Sequence, residues 1–126
     1  MVTTMTMSHD ARARGLAIER QTERWLQEQG LIPIAHNQHV KGGELDLVMR
    51  DGGTLVFVEV KHRRSAQHGH PLEAVTPLKQ RRLIRAARFY LARNGISSPC
   101  RFDVVAVTGI QPSLTYEWIK AAFDAF

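Results

Sequence analysis

The stretch Gly43-Glu44-Leu45-Asp46-Leu47-Val48-Met49-Arg50-Asp51-Gly52-Gly53-Thr54-Leu55-Val56-Phe57-Val58-Glu59-Val60-Lys61 decides the fold of this chain. Two runs rich in β-branched and large apolar residues flank the turn signal Asp51-Gly52-Gly53, so the stretch reads as a β-hairpin. Side chains alternate faces along a strand. Glu44, Asp46 and Val48 therefore share one face of the first strand, with Leu45, Leu47 and Met49 on the other. On the second strand Leu55, Phe57, Glu59 and Lys61 share a face, with Val56, Val58 and Val60 opposite. If Gly52-Gly53 is a two-residue loop, Asp51 faces Thr54. Counting back then sets Asp46 against Glu59 and Glu44 against Lys61. A slip of two residues would keep all of these groups on one face.

Three carboxylates and one ammonium thus converge in runs that would otherwise be buried strand. Buried charges need a partner or a metal. Like charges directly opposed across a hairpin are destabilising by a few tenths to ~1 kcal/mol. Asp46 facing Glu59 breaks a local rule, as functional sites do, and a divalent cation between them would turn repulsion into coordination. The competing reading is a solvated sheet face with an ordinary Glu44–Lys61 ion pair. Against it, Leu55 and Phe57 share the face of Glu59, as at the rim of a core.

Outward from the hairpin, Asp10 to Gln29 reads as a helix closed by Gly30, with Ile18, Thr22, Trp25 and Leu26 inward and Glu19 beside that stripe. Leu31 to Asn37 is a strand that Pro33 confines to an edge or a bend. A polar loop runs from His62 to Pro71. Thr76 caps a second helix with Pro77 at its first position, running to Asn94 before Gly95, with Leu83, Ile84, Ala87, Tyr90 and Leu91 facing the core. Arg101 to Thr108 is a strand, and Leu114 to Trp118 a last one before a short helical tail. The order αβββαβ(β) predicts an α/β fold: a mixed sheet flanked by helices, the crossover through the second helix right-handed.

At 126 residues the chain supports one domain with a real core, expected over 10–126, behind a disordered lead over 1–9. That lead lacks the basic and apolar regions of a signal peptide, and no apolar run reaches the ~20 residues of a membrane span. No membrane is therefore expected. The single cysteine, Cys100, cannot form an internal disulfide, which fits the cytoplasm. Its expected role is a small buried apolar residue. A net charge of +5 and a pI near 10 favour a polyanionic partner. His68 and His70 lack zinc-framework spacing, and His62 points away from Lys61. All three suit nucleic-acid contact or plain solvation. There is no Gly-rich phosphate loop, nucleophile elbow or Cys/His pair.

Glu44-Leu45-Asp46 followed after a turn by Phe57-Val58-Glu59-Val60-Lys61 resembles the active-site hairpin of the PD-(D/E)xK nuclease superfamily. The wider frame resembles the YraN-like family, whose members are similar to Holliday-junction resolvases. That frame comprises Gly15, Glu19, Asn37, the Gly43–Leu47 segment, Arg63, Lys79, Arg101-Phe102-Asp103-Val104-Val105 and the tail from Trp118 to Phe123. Leu45 stands where the superfamily has its eponymous proline, a minor departure because that proline is not a ligand.

The resemblance implies a restriction-endonuclease-like fold and a Mg²⁺- or Mn²⁺-dependent endonuclease acting on DNA, branched or junction DNA foremost. It implies Asp46 and Glu59 as metal ligands and the Val60 carbonyl as a third. Lys61 would orient the attacking water or stabilise transition-state charge. Glu19 would complete the site through water or a second metal. Glu44 is a ligand, a partner of Lys61 or a support for a ligand. Asp103 reads as a structural ion-pair partner. Nucleic-acid binding is assigned to Arg63 and Arg64 after the active strand, to the stripe Arg81, Arg85 and Arg88, and to Lys79 and Arg82 beside it. A solvated helix face is the alternative for that stripe. Resolvases act as dimers on two-fold junctions, so a homodimer is compatible, though no sequence feature specifies one. The alternatives to a DNA nuclease are a non-catalytic nucleic-acid-binding or adaptor protein that keeps the fold, and an RNA-directed nuclease.

Overall fold

The computed structural model describes residues 3–65, 67 and 69–126, with residues 3–10 described for their backbone alone. His68 lies outside the described residues. Helix α1 (Thr3–Glu28) precedes a meander of β1 (Ile32–Val40), β2 (Gly43–Asp51) and β3 (Thr54–Arg63). A 3-10 turn, Pro71–Ala74, leads into α2 (Pro77–Arg93), followed by β4 (Cys100–Ile110) and β5 (Ser113–Phe123). The five strands form one sheet in sequence order. All neighbours are antiparallel except β3 and β4, which the α2 crossover makes parallel. This is the mixed α/β sheet that the hairpin and helix pattern predict.

Local signals account for most of these elements. The Thr76 hydroxyl accepts from the Lys79 N–H and Pro77 opens α2, the expected cap. Gly95, at φ 62°, takes the left-handed conformation just past the helix end. Pro33 sits on the edge strand β1, and the register shifts between Pro33 and Ala35. Apolar residues on the two sheet faces build two clusters. Val48, Leu55, Phe57, Phe102 and Val104 meet Leu83, Ala86, Ala87 and Tyr90 of α2. Leu47, Met49, Val56, Val58, Val105 and Val107 meet Ile18 and Leu26 of α1.

Three expectations are corrected. First, α1 begins at Thr3 rather than Asp10. Second, the tail is strand, not helix: β5 runs to Phe123, which pairs with Phe102 and stacks on it with ring centroids 4.9 Å apart. Asp103 accepts the Ala121 N–H at 2.9 Å, and Ala121 takes φ 49° where the register shifts. Burial of these rings on the sheet outweighs local helix preference. Third, Leu45 packs with Val48 on the α2 side, not with Leu47 and Met49. The alternation breaks because Asp46 and its β1 neighbour Asn37, at φ 49°, both leave the regular ladders.

Candidate functional site

The hairpin register is the expected one, Asp51↔Thr54 through Leu47↔Val58, and there the pairing of β2 with β3 stops. From that point β2 stays on β1 as far as Val40↔Gly43, while β3 stays on β4 as far as Arg63↔Thr108. The sheet opens into a fork. Asp46 and Glu59 are the first residues past the last pair, one on each prong. The expected pairing of Glu44 with Lys61 does not form, because β2 has already left β3; Glu44 instead pairs with His39 on β1.

Asp46 turns its carboxylate across the fork, where Oδ2 accepts the Val60 N–H at 3.0 Å. In an extended residue the N–H and C=O point to the same strand edge, so the Val60 carbonyl also faces this gap. Glu59 is only 5% exposed. Its Oε2 is shielded, and no described group donates a hydrogen bond to it, although the Lys79 ammonium of α2 lies 3.2 Å away. That approach is an ion pair with poor hydrogen-bond alignment. From the α1 side, Asn37 Nδ2 donates to Glu19 Oε1 at 2.6 Å and contacts Glu44 Oε1 at 3.4 Å, gathering both carboxylates at the mouth of the fork. A cleft of about 240 Å³ opens over it, lined by Gly42, Gly43, Glu44, Asp46, Glu59, Lys79, Arg82 and Leu83.

Electrostatics confirm how crowded the carboxylates are. Burial, then hydrogen bonding with and repulsion from Glu59, push Asp46 up to about 9. The Val60 N–H opposes this only in part. Burial also raises Glu19, against the Asn37 hydrogen bond. Burial and the neighbouring Lys79 lower Lys61. Lys79 itself is raised: burial opposes this, but Lys61, Glu59 and Asp46 outweigh it.

Among the described residues no group of three or more His, Cys, Asp or Glu side chains forms a ready-made cage. Mg²⁺ does not require one, since it keeps several waters and takes one or two carboxylates. Asp46, the Glu59 oxygen without a hydrogen-bond donor and the Val60 carbonyl edge are an all-oxygen donor set of that kind. The residues fit the ion.

The expected nucleic-acid residues divide. Lys79 and Arg82 line the cleft. Arg81, Arg85 and Arg88 are exposed, and the Arg85 stem lies over Gly42, so the stripe itself borders rather than enters the site. Arg63 donates to the Gly69 carbonyl at 2.8 Å and so ties down its own loop. Arg64 and His62 line a separate cleft against α1. Asp103 is fully buried and saturated by Arg101, Trp118 and the Ala121 N–H, a structural role. Cys100 is partly buried at the start of β4.

Two features lay outside the strand pattern. Asn37 as the clasp between Glu19 and Glu44 had one signal, since asparagine tolerates positive φ better than other non-glycine residues. Lys79 is marked by the family resemblance and as a phosphate contact, but nothing in the strand pattern signals its contact with Glu59, because α2 reaches the fork only through the crossover.

The profile of the uncharacterised protein family UPF0102 matches residues 18–107, a span that holds the fork, Glu19 and α2. A UPF0102 protein of Chromohalobacter salexigens is 62% identical over 119 residues, covering 94% of this chain and 97% of that protein. A UPF0102 protein of Klebsiella pneumoniae is 51% identical, over 86% of this chain and 84% of its own length. The UPF0102 protein YraN of Escherichia coli is 50% identical, over 87% of this chain and 83% of its own length. No helix among the described residues is long and apolar enough to cross a membrane. By its matched span and these identities, the chain belongs to the UPF0102 (YraN) family.

Proposed function

We propose that this protein is a divalent-metal-dependent endonuclease that hydrolyses phosphodiester bonds in DNA, branched DNA foremost, in the cytoplasm. One observation carries the reading. At the fork of β2 and β3 the half-buried Asp46 carboxylate stands beside the buried Glu59, and a shielded Glu59 oxygen has no hydrogen-bond donor. Burying such a pair is unfavourable unless a cation completes it. The resemblance to the PD-(D/E)xK hairpin supports the same assignment.

Asp46, Glu59 and the Val60 carbonyl would hold Mg²⁺ or Mn²⁺. A bound ion of this kind polarises phosphate and acidifies water. Lys61, on the same strand as Glu59 and lowered by burial, holds the attacking water or the developing charge. Asn37 keeps Glu19 and Glu44 at the mouth of the fork, where they can accept hydrogen bonds from water. Lys79 and Arg82 bind the phosphates flanking the cut from the α2 side. A two-fold junction would engage two copies, one fork for each cut strand.

The test is a cleavage panel of four-way junction, flap, linear duplex, single-stranded DNA and RNA. Each is incubated with Mg²⁺, Mn²⁺ or EDTA, using the parent and Asp46→Asn. Metal-dependent cutting of DNA that disappears in the variant is expected. Cutting that requires a 2′-hydroxyl would reassign the substrate to RNA. Intact binding without cutting of any substrate would replace the enzyme reading with a binding or adaptor role.

A further inference from the structure

Gly15 lies in the middle of α1. Glycine in a helix interior costs about 1 kcal/mol relative to alanine, and close packing usually explains it. Here no described atom lies within 4 Å of the point a Cβ would occupy. The glycine is not making room for a neighbour; it leaves the helix surface open.

What it leaves open is a track. Gly15 borders two clefts. The first is lined by Arg12, Gly15, Leu16, Glu19, His39 and Glu44, and Glu44 also borders the cleft over the fork. The second, about 310 Å³, lies on the other side of Gly15 between α1 and the ends of β3 and β4, where Arg14, Ile18, His62, Arg64 and Ile110 meet. The middle cleft shares Glu44 with the cleft over the fork and Gly15 with the far cleft. Helix α1, which carries Glu19, also supplies Arg14 to the far cleft, and β3, which carries Lys61, supplies His62, with Arg64 following directly after it.

We infer that this track carries an unpaired strand of the DNA substrate away from the fork, with Gly15 as the window through which it crosses α1 and the far cleft seating one unpaired nucleotide. The chemistry of the lining identifies the occupant. Arg14, Arg64 and His62 surround a floor that includes buried Ile18 and Ile110, the latter 61% exposed without a partner. No carboxylate is among the described residues lining the far cleft. The carboxylates of the track, Glu19 and Glu44, stand at its fork end, where a metal would be held. Cations around an apolar floor suit a phosphate joined to a flat apolar ring. The volume is at the small end of ligand sites, with room for one nucleotide but not for a base pair. A basic groove that follows a backbone, with apolar contact to any base, is how strands are held without sequence preference.

The identity of the strand rests on the nuclease reading, but the test requires no cleavage. Binding of a single-stranded oligodeoxythymidine and of a blunt duplex is measured by anisotropy in EDTA for the parent, Gly15→Ala, Gly15→Leu and Arg64→Ala. Thermal unfolding of each protein accompanies the titrations. Gly15→Ala should unfold at the same or a higher temperature, because the helix gains and nothing clashes. Gly15→Leu should remain folded, lose about tenfold or more in single-strand affinity and keep its duplex affinity. Arg64→Ala should weaken the single-strand arm and lower its salt slope by about one. Parent-like single-strand binding in both Gly15→Leu and Arg64→Ala overturns the inference, as does a parent that does not bind the single strand. If the parent cuts nothing with any metal while Gly15→Leu still loses single-strand binding, the nuclease reading falls and the track stands.

Discussion

The Lys79 ammonium on α2 lies 3.2 Å from the shielded Oε2 of Glu59 on β3, although the two residues belong to elements on different layers of the fold. Lys79 is the cation that stands nearest the fork before any metal does. It offsets part of the cost of burying the Glu59 carboxylate, on the same oxygen that the proposed metal would take.

Lys79→Met should therefore destabilise the metal-free protein by about 1–3 kcal/mol, because the buried Glu59 carboxylate loses its neighbouring cation, and by less than for a fully buried pair because the ammonium is part-exposed. Glu59→Gln in the same background should cancel most of that loss, because no carboxylate then needs a counter-ion. Mn²⁺ should restore more stability to Lys79→Met than it adds to the parent. Chemical denaturation of the two single variants and the double variant, with and without Mn²⁺, reads all three effects.

The raised Asp46 carboxyl sets a pH dependence. Its ordinary value is 3.8 and burial beside Glu59 pushes it up to about 9. An acid raised in the fold contributes stability fully below its unfolded value and loses it as pH rises through the folded one. The metal-free parent should lose stability between pH 4 and 9. Asp46→Asn keeps an acceptor for the Val60 N–H but cannot ionise, so its Tm at pH 7–8 should exceed the parent's, by a gap that widens as pH rises. The two should converge below pH 4. A constant gap across that range would remove Asp46 ionisation as its cause.

Glu59→Ala should lower metal-dependent cleavage by at least about 100-fold, beyond the usual loss when a supporting group near a metal is removed. DNA affinity in EDTA should hardly change, because the proposed phosphate contacts are assigned to Lys79, Arg82 and the outer arginines rather than to Glu59. Single-turnover cleavage and anisotropy on the same preparation separate these terms.

Asp103 should behave in the opposite way. Its oxygens accept from Arg101 at 3.0 Å, from the Trp118 indole at 2.9 Å and from the Ala121 N–H at 2.9 Å, and Arg101 also reaches Asp51 at the hairpin turn. Asp103→Ala leaves two donors, the Trp118 indole and the Ala121 N–H, unsatisfied and the part-buried Arg101 with Asp51 alone, a loss of about 3 kcal/mol. Metal affinity of the protein that remains folded should match the parent's. Calorimetric Mn²⁺ titration below the variant's melting range checks this.

Much of the architecture could be read in the chain because its signals are local. Asp51-Gly52-Gly53 dictated the turn and therefore the register up to Leu47↔Val58. Thr76-Pro77 and Gly95 bounded α2, and Pro33 assigned β1 to an edge. Period-two alternation placed Leu55, Phe57 and Glu59 on one face, which brought Asp46 and Glu59 to notice as a pair. What the sequence by itself determined was the hairpin, its acidic core and the order of elements. Only the tertiary structure decided where β2 and β3 part, because that depends on β1 and β4 each holding one prong. The same holds for Lys79 on Glu59, Asn37 between Glu19 and Glu44, and the strand conformation of the Phe123 tail. Each of these joins residues distant in the chain, and long-range packing carries no periodic signature in the sequence that makes it.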